Sequence, residues 1–361
     1  MSRKGNQRAT DLSLIKSRQT GEITIAAGAS SGTATINQVD MTKCLRLFNG
    51  WRSADTTFSS NQDYPYISLL DSGLGISTKV RAVTSAVNST NDRIIRFTIV
   101  EFYPFAVQSV QQDAIQLVSV ATHDESITSV DTTRSFAVHL GQSHGSSGSN
   151  DFNYNQAHIN LQSATTVRIT KDNVNFGPIT VSFAVIQFRP GILKSVQPLS
   201  ITIAAGTTST NQAITAVNDT AAMLVWGGFI LNAFAGNSET FMPHVFRTST
   251  TNVRAARTGL NNFVNIVNCT VVEFYPRWVK SRQAAQTTIG SGAASGNAAI
   301  SAVVLNKSLI SWLGNTCSAD VSGDEAAYTT AKIDTTTQVT IERGGSPANT
   351  VTTSWEVVEF Y

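Results

Sequence analysis

One phrase recurs along the 361-residue chain and limits what it can fold into. It reads "IVEFYPFAVQSVQ" from Ile99, "VIQFRPGILKSVQ" from Val185 and "VVEFYPRWVKSRQ" from Val271. A tail half, "LIKSRQ", begins at Leu14, and a head half, "VVEFY", ends at Tyr361. Taking the serine of each "SRQ" or "SVQ" as a start, the units run 17–108, 109–194, 195–280 and 281–361. Their openings match as well, most clearly in "SRQTGEITIAAGASSGTATINQV" and "SVQPLSITIAAGTTSTNQAITAV"; the second unit is the most diverged. Each unit carries an apolar stretch ending in glycine: "CLRLFNG", "SFAVHLG", "AMLVWGG" and "SLISWLG". A later stretch also agrees: "STKVRAV", "ATTVRIT", "TTNVRAA" and "TTQVTIE". Matched features in constant order mean fourfold duplication. Each unit, of roughly 80–90 residues, is large enough for a small domain.

The residues before each phrase alternate with a period of two, the signature of a strand with one buried face. Phe97 and Ile99, Phe183 and Val185, Cys269 and Val271, and Trp355 and Val357 form that face. Cys269 thus occupies a core slot that the other units fill with an aromatic, where a free thiol acts as a small hydrophobe. Thr98, Ala184, Thr270 and Glu356 lie on the wetter face. At the strand end the polarity flips, with Glu101, Gln187, Glu273 and Glu359 on the formerly buried parity, as a bulge, or the end of a sheet meeting its neighbour, would cause. The prolines that follow, Pro104, Pro190 and Pro276, lack an N–H and end the ladder.

This pattern predicts an all-β protein of four tandem antiparallel β-sandwiches, residues 17–108, 109–194, 195–280 and 281–361, after an N-terminal arm and lead-in at 1–16. The phrase is the last strand of one unit, a short linker and the first strand of the next. A chain ending in "VVEFY" is then expected to have no fifth unit. Pro104, Pro190 and Pro276 should sit between sandwiches, with Phe105, Ile192 and Trp278 at least half buried in stiff junctions.

Bulk charge points to no partner: the net charge is +2 and 14% of residues are charged. A nucleic-acid binder would carry a basic face. No apolar run approaches the roughly 18 residues of a membrane helix, and the first residues lack the apolar core of a signal peptide. Cys44, Cys269 and Cys317 sit at different places in different units, which is neither a repeated disulfide nor a zinc spacing. A reducing cytoplasm is the expected site of synthesis.

Chemistry is sparse. Four of the five histidines (His123, His139, His144, His158; the fifth is His244) fall in the second unit, in no metal-binding spacing, and read as structural or surface residues. "GSSGSN" and "GSGAASGN" lack the lysine and the strand-to-helix setting of a phosphate loop. Asn88, Asn218 and Asn268 head glycosylation-type triplets that read as coincidence without a signal peptide. Arg81, Arg168 and Arg254 share one position and either pair with Glu101, Gln187 and Glu273 or line a solvated strand face, the second being preferred. No catalytic, cofactor or metal-binding residue is expected. Arg3, Lys4 and Arg8 in the arm "MSRKGNQRATD" are the candidate attachment residues, against the alternative of a disordered basic tail.

Tandem β-units joined at "VEFYP…SRQ", strands rich in Thr, Ser and Asn, and a short N-terminal arm resemble virion proteins of tailed bacteriophages, especially fibres and other appendages. That resemblance implies a non-enzymatic virion component, most often a tail fibre or fibre-like adaptor. It would be a homo-oligomer, commonly a trimer, bound to other virion proteins through its arm. A host-surface glycan is a further possible partner; nucleic acid and membrane are not. The alternatives are a capsid decoration protein or head fibre, and an array of carbohydrate-binding modules. For the last, Trp51, Tyr64 and Tyr66 are candidate sugar-stacking aromatics.

Overall fold

A computed structural model describes residues 13–53, 64–73, 75–85, 91–144, 156–171, 178–232, 242–259, 263–318, 327–346 and 348–361. Each repeat supplies six strands. Repeat 1 gives β1 (Ile15–Ile25), β2 (Ser31–Asp40), β3 (Cys44–Ser53), β4 (Tyr66–Leu69), β5 (Ile76–Val83) and β6 (Arg93–Phe102). Repeat 2 gives β7 (Val107–Leu117), β8 (Thr122–Ser126), β9 (Ser135–His144), β10 (Ala157–Ser163), β11 (Thr166–Lys171) and β12 (Ile179–Phe188). Repeat 3 gives β13 (Leu193–Ile203), β14 (Ser209–Ala213), β15 (Ala222–Asn232), β16 (His244–Ser249), β17 (Asn252–Ala256) and β18 (Val264–Phe274). Repeat 4 gives β19 (Val279–Ile289), β20 (Ser295–Ala299), β21 (Ser308–Cys317), β22 (Thr329–Thr335), β23 (Gln338–Arg343) and β24 (Val351–Phe360).

The protein is all-β, but its repeats are not separate beads. Its four six-stranded antiparallel sheets each draw three strands from one repeat and three from the repeat before it. Thus β7, β12 and β9 join β2, β5 and β4, and β13, β18 and β15 join β10, β11 and β8. Next, β19, β24 and β21 join β14, β17 and β16. Finally β1, β6 and β3 of repeat 1 join β22, β23 and β20 of repeat 4, which closes a four-bladed, propeller-like ring. The two halves of each repeat also pack on each other. One apolar cluster, including Ile159, Val181 and Phe183, lies wholly within repeat 2, and another, including Ile310, Ile341 and Trp355, lies wholly within repeat 4.

The repeated glycine makes each shared sheet possible. Gly50, Gly141, Gly228 and Gly314 sit in bulges of β3, β9, β15 and β21 at φ between +86 and +94. Each is bridged to the first residues of a strand from the preceding repeat: Thr330, Tyr66, His158 and His244 respectively. A methyl group on Gly50 would lie 2.0 Å from the carbonyl oxygen of Thr329, so both the backbone angle and the close approach require glycine.

The recurring phrase turns out to be the ring's hub. Its phenylalanines, Phe102, Phe188, Phe274 and Phe360, form a closed square around the axis, with neighbouring ring centroids 5.3, 5.7, 5.1 and 6.4 Å apart. All four contacts are edge-to-face, the arrangement aromatic quadrupoles favour. The glutamates beside them are buried. Glu273 accepts from Lys194 (2.9 Å), Ser195 (3.0 Å) and the Asn218 amide (2.8 Å), and Glu101 and Glu359 are held in the same way. The predicted bulge exists, on the partner strand: Lys16, Lys194 and Lys280 are the extra residues. Repeat 2 has Gln187 for the glutamate and Gln108 for the lysine, so charge and countercharge are lost together. A buried carboxylate needs a cation, whereas an amide does not.

Two expectations need correction. Pro104, Pro190 and Pro276 do not lie in linkers between separate sandwiches; they are exposed at tight turns that cap the Phe end of the ring. These turns bond to one another: Arg189 Nε donates to the Pro104 carbonyl (2.7 Å) and Arg277 Nη2 to that of Gly191 (2.8 Å). Ile192 is buried and Trp278 partly so, but Phe105 is 40% exposed because it occupies the turn tip that Gly191 and Arg277 hold in the other repeats. The second correction concerns the wetter strand face, which ring closure buries against the adjacent blade. Thr98, Ser182, Asn268, Ser354 and Glu356 are all buried, and all but Thr98, which accepts from Asn49 of its own repeat, make a hydrogen bond across a seam. Asn268 Nδ2 donates to His158 Nδ1 (2.6 Å), and Ser354 Oγ meets His244 Nδ1 (2.8 Å). Cys269 lies in the core slot expected of it.

Candidate functional site, the axial chamber

The strands β3, β9, β15 and β21 surround the axis, running from the Phe square toward the bridging glycines. At the Phe end the four repeats present one residue type. At the glycine end they present different ones, and there a small chamber of ≈ 50 Å³ is lined by all four repeats. Two residues before each glycine stand Phe48, His139, Trp226 and Trp312. Trp312 is edge-on to both Trp226 (5.6 Å, 74°) and Phe48 (6.4 Å, 88°). One residue after each glycine stand Trp51, Gln142, Phe229 and Asn315, and facing them from the preceding repeats are Tyr328, Tyr64, Gln156 and Met242.

Ring closure builds this wall from distant residues. Trp51 of repeat 1 stacks on Tyr328 of repeat 4 (4.4 Å, 26°), Tyr64 packs edge-on to both, and the two tyrosine hydroxyls hydrogen-bond to each other. A polar belt continues from them. Gln156 Nε2 donates to the Tyr64 hydroxyl (3.1 Å), Gln142 Nε2 donates to Gln156 Oε1 (3.2 Å), and Gln142 Oε1 accepts from the Ala157 amide (3.1 Å).

His139 is the titratable member of the wall. Its Nδ1 accepts from the Gly141 amide (3.2 Å), which leaves the proton of the neutral ring on Nε2. Among the described residues that nitrogen is buried without a hydrogen-bond partner. Burial pulls the pKa of His139 down to about 4, and burial likewise pulls those of His158 and His244 to about 4. The chamber therefore offers one neutral N–H donor, two amide side chains and a set of aromatic edges. Its volume suits a few water molecules or one small polar group, not a sugar ring.

Several expected site residues lie elsewhere or are occupied. Trp51 and Tyr64 are buried in the chamber wall, and Tyr66 is half buried. Arg168 pairs with Asp124 (2.7 Å) and Arg254 with Asn211 (2.8 Å), both exposed, while Glu101 and Glu273 take lysines. Asn268 of the glycosylation-type triplet is buried at a seam. Arg3, Lys4, Arg8 and Asn88 lie outside the described residues. Among the described residues no group of three or more His, Cys, Asp or Glu side chains could hold a metal, and no helix is long and apolar enough to cross a membrane. The sequence reading missed Gln142 and Gln156 of repeat 2, and Tyr328, which reaches the site because repeat 4 closes on repeat 1.

Comparison with known proteins adds nothing to this geometry. The sequence matches no protein-family model and no curated protein.

Proposed function

We propose that this ring is a non-enzymatic structural component of a phage virion, a fibre-like adaptor that attaches by its N-terminal arm. We read each repeat, with its two packed three-stranded halves, as one β-sandwich unit of that ring. The observation that carries the reading is the difference between the two ends of the axis. At the Phe end β1 begins, with Leu14 accepting from the Tyr103 amide (3.0 Å). The same end bears exposed aromatics: Tyr103, Phe105, Tyr275 and Tyr361. Apolar surface of that kind suits docking on another virion protein. At the opposite end lie the diversified chamber and the strand ends that flank residues 54–63, 145–155, 233–241 and 319–326. That end is the one free to meet a host surface or a further protein.

A ring closed on itself cannot lengthen by adding repeats end to end. This favours an adaptor over the shaft of a fibre. A capsid decoration protein would share the same two-ended design and differs only in location. Deleting residues 1–11 tests the proposal. The truncated ring should melt at the unchanged temperature yet be missing from purified particles. Normal incorporation would place attachment in the ring itself, and absence of the full-length protein from particles would overturn the virion reading.

A further inference from the structure

A second groove lies where repeat 1 closes on repeat 4, and it differs from the other seams in one respect. In the seam between repeats 3 and 4, Arg282 of β19 is nearly buried and bonds Glu356 of β24; Glu356 also accepts from the Leu224 amide (2.8 Å). Asp219 of repeat 3 adds a second carboxylate 3.3 Å from Arg282. The seam thus shows what its geometry binds: a carboxylate held between a guanidinium and a backbone N–H. In the closing seam Arg18 holds the position of Arg282, Thr98 that of Glu356, Leu305 that of Asp219 and Ile310 that of Leu224. The guanidinium is kept while both of its carboxylates are gone. Repeats 2 and 3 instead have valine at this position, Val110 and Val196.

Arg18 is accordingly left over. Its Nε and Nη2 are buried without a hydrogen-bond partner among the described residues. Burial lowers its pKa to about 10, with no anion to offset the cost. The neighbouring cations are taken: Arg96 by Glu22 (2.6 Å) and Glu342 (2.9 Å), and Lys332 by Glu342 (2.9 Å) and Asp334 (3.1 Å). Beside Arg18, Asn49 donates to Thr98 (2.7 Å), but its Oδ1 is buried without a partner among the described residues. These groups line a polar groove of ≈ 350 Å³, a volume in the range of small-molecule sites. Buried polar groups are ordinarily satisfied, so a guanidinium and an amide oxygen left together in one groove point to a ligand.

We infer that this groove binds a hydroxylated carboxylate, such as a uronic acid residue. The carboxylate takes the place that Glu356 fills in the neighbouring seam and accepts from Arg18, and a hydroxyl of the same ligand donates to Asn49 Oδ1. Planar guanidinium–carboxylate recognition supplies the affinity, and the hydroxyl supplies the selection over a simple carboxylate. The inference does not rest on the virion reading.

Titration calorimetry on the full chain tests it, with sodium glucuronate, an oligouronate and glucose as probes. The wild type should bind glucuronate or the oligomer and not glucose; binding of the oligomer alone assigns the source to a polymer, and binding of the monosaccharide assigns it to a free acid. Arg18→Val, which copies repeats 2 and 3, should retain the fold and bind about tenfold more weakly or worse. Thr98→Glu, which copies repeat 4, should raise the melting temperature and abolish binding, because the protein then carries the carboxylate itself. Absence of binding to both acidic probes, equal binding of glucose, or a Thr98→Glu variant that melts lower or binds normally would overturn the proposal.

Discussion

Replacing Gly228 with alanine attacks the joint on which the shared sheets depend. Gly228 has φ +89, and an added Cβ would sit 2.3 Å from the Ala157 carbonyl oxygen and 2.9 Å from the His158 Cα. The left-handed backbone alone costs about 1–2 kcal/mol for a residue with a Cβ. The overlap cannot be relieved by a side-chain rotation, because both contacts are backbone. The β10–β15 bridge must open, and with it the hydrogen bond from Asn268 to His158, leaving buried polar groups unpaired at about 1–3 kcal/mol. The total is about 2–5 kcal/mol. Gly206 is the matched control, with φ +72 and nothing within 4 Å of where an added methyl would lie, so Gly206→Ala should cost only about 1–2 kcal/mol. With about 2.1 cal/mol/K per residue over 361 residues, each kcal/mol shifts the melting temperature by about 1.3 °C. Differential scanning calorimetry should therefore show losses of about 3–7 °C for Gly228→Ala against about 1–3 °C for Gly206→Ala. Equal losses would refute the argument that the glycine is required by contact between repeats.

Two further outcomes follow from the axis and the seams. Phe188→Ala should cost about 3–5 kcal/mol in urea denaturation, since it removes one side of the Phe square, and a loss below about 1 kcal/mol would mean the square is not closed. His139, His158 and His244 are held neutral, with folded pKa values of about 4, below the unfolded value near 6.5. Their contribution is present above the unfolded pKa and is lost as pH falls from about 6.5 toward 4, by up to roughly 3 kcal/mol each. Melting temperature should drop across that window, and His244→Asn should shrink the drop; an unchanged pH profile would count against burial of that ring.

Much of the local structure was legible because it is set by neighbours in sequence. The period of two before each phrase, the bulge near the glutamates, the Cys269 core slot and the glycine after each apolar strand are all local signals. The pairing between repeats was not legible. A three-stranded half can hydrogen-bond within its own repeat or with the repeat before it, and both satisfy the same alternation. Clues were present in polar residues such as Asn268, Ser354 and Glu356 inside otherwise apolar strands, and in the joint loss of lysine and glutamate in repeat 2. A wet surface was the simpler account of the first, although each of these groups makes a hydrogen bond across a seam. The chamber was legible only in part. Trp51 and Tyr64 stand out in sequence, but Tyr328 meets Tyr64 across 264 residues, and nothing local announces that contact.

The central claim is that repeat 1 closes on repeat 4, and a distance between them tests it most directly. Nitroxide labels at Tyr103→Cys and Tyr361→Cys would sit on exposed positions next to Phe102 and Phe360, whose ring centroids lie 6.4 Å apart. The native Cys44, Cys269 and Cys317 are buried, so labelling is selective. Pulsed electron paramagnetic resonance should give one short, narrow distance distribution. Four domains strung in line would instead separate the labels by about 90 Å, since repeats 2, 3 and 4, at roughly 30 Å each, would stand between them. A broad distribution at that length would contradict the closed ring.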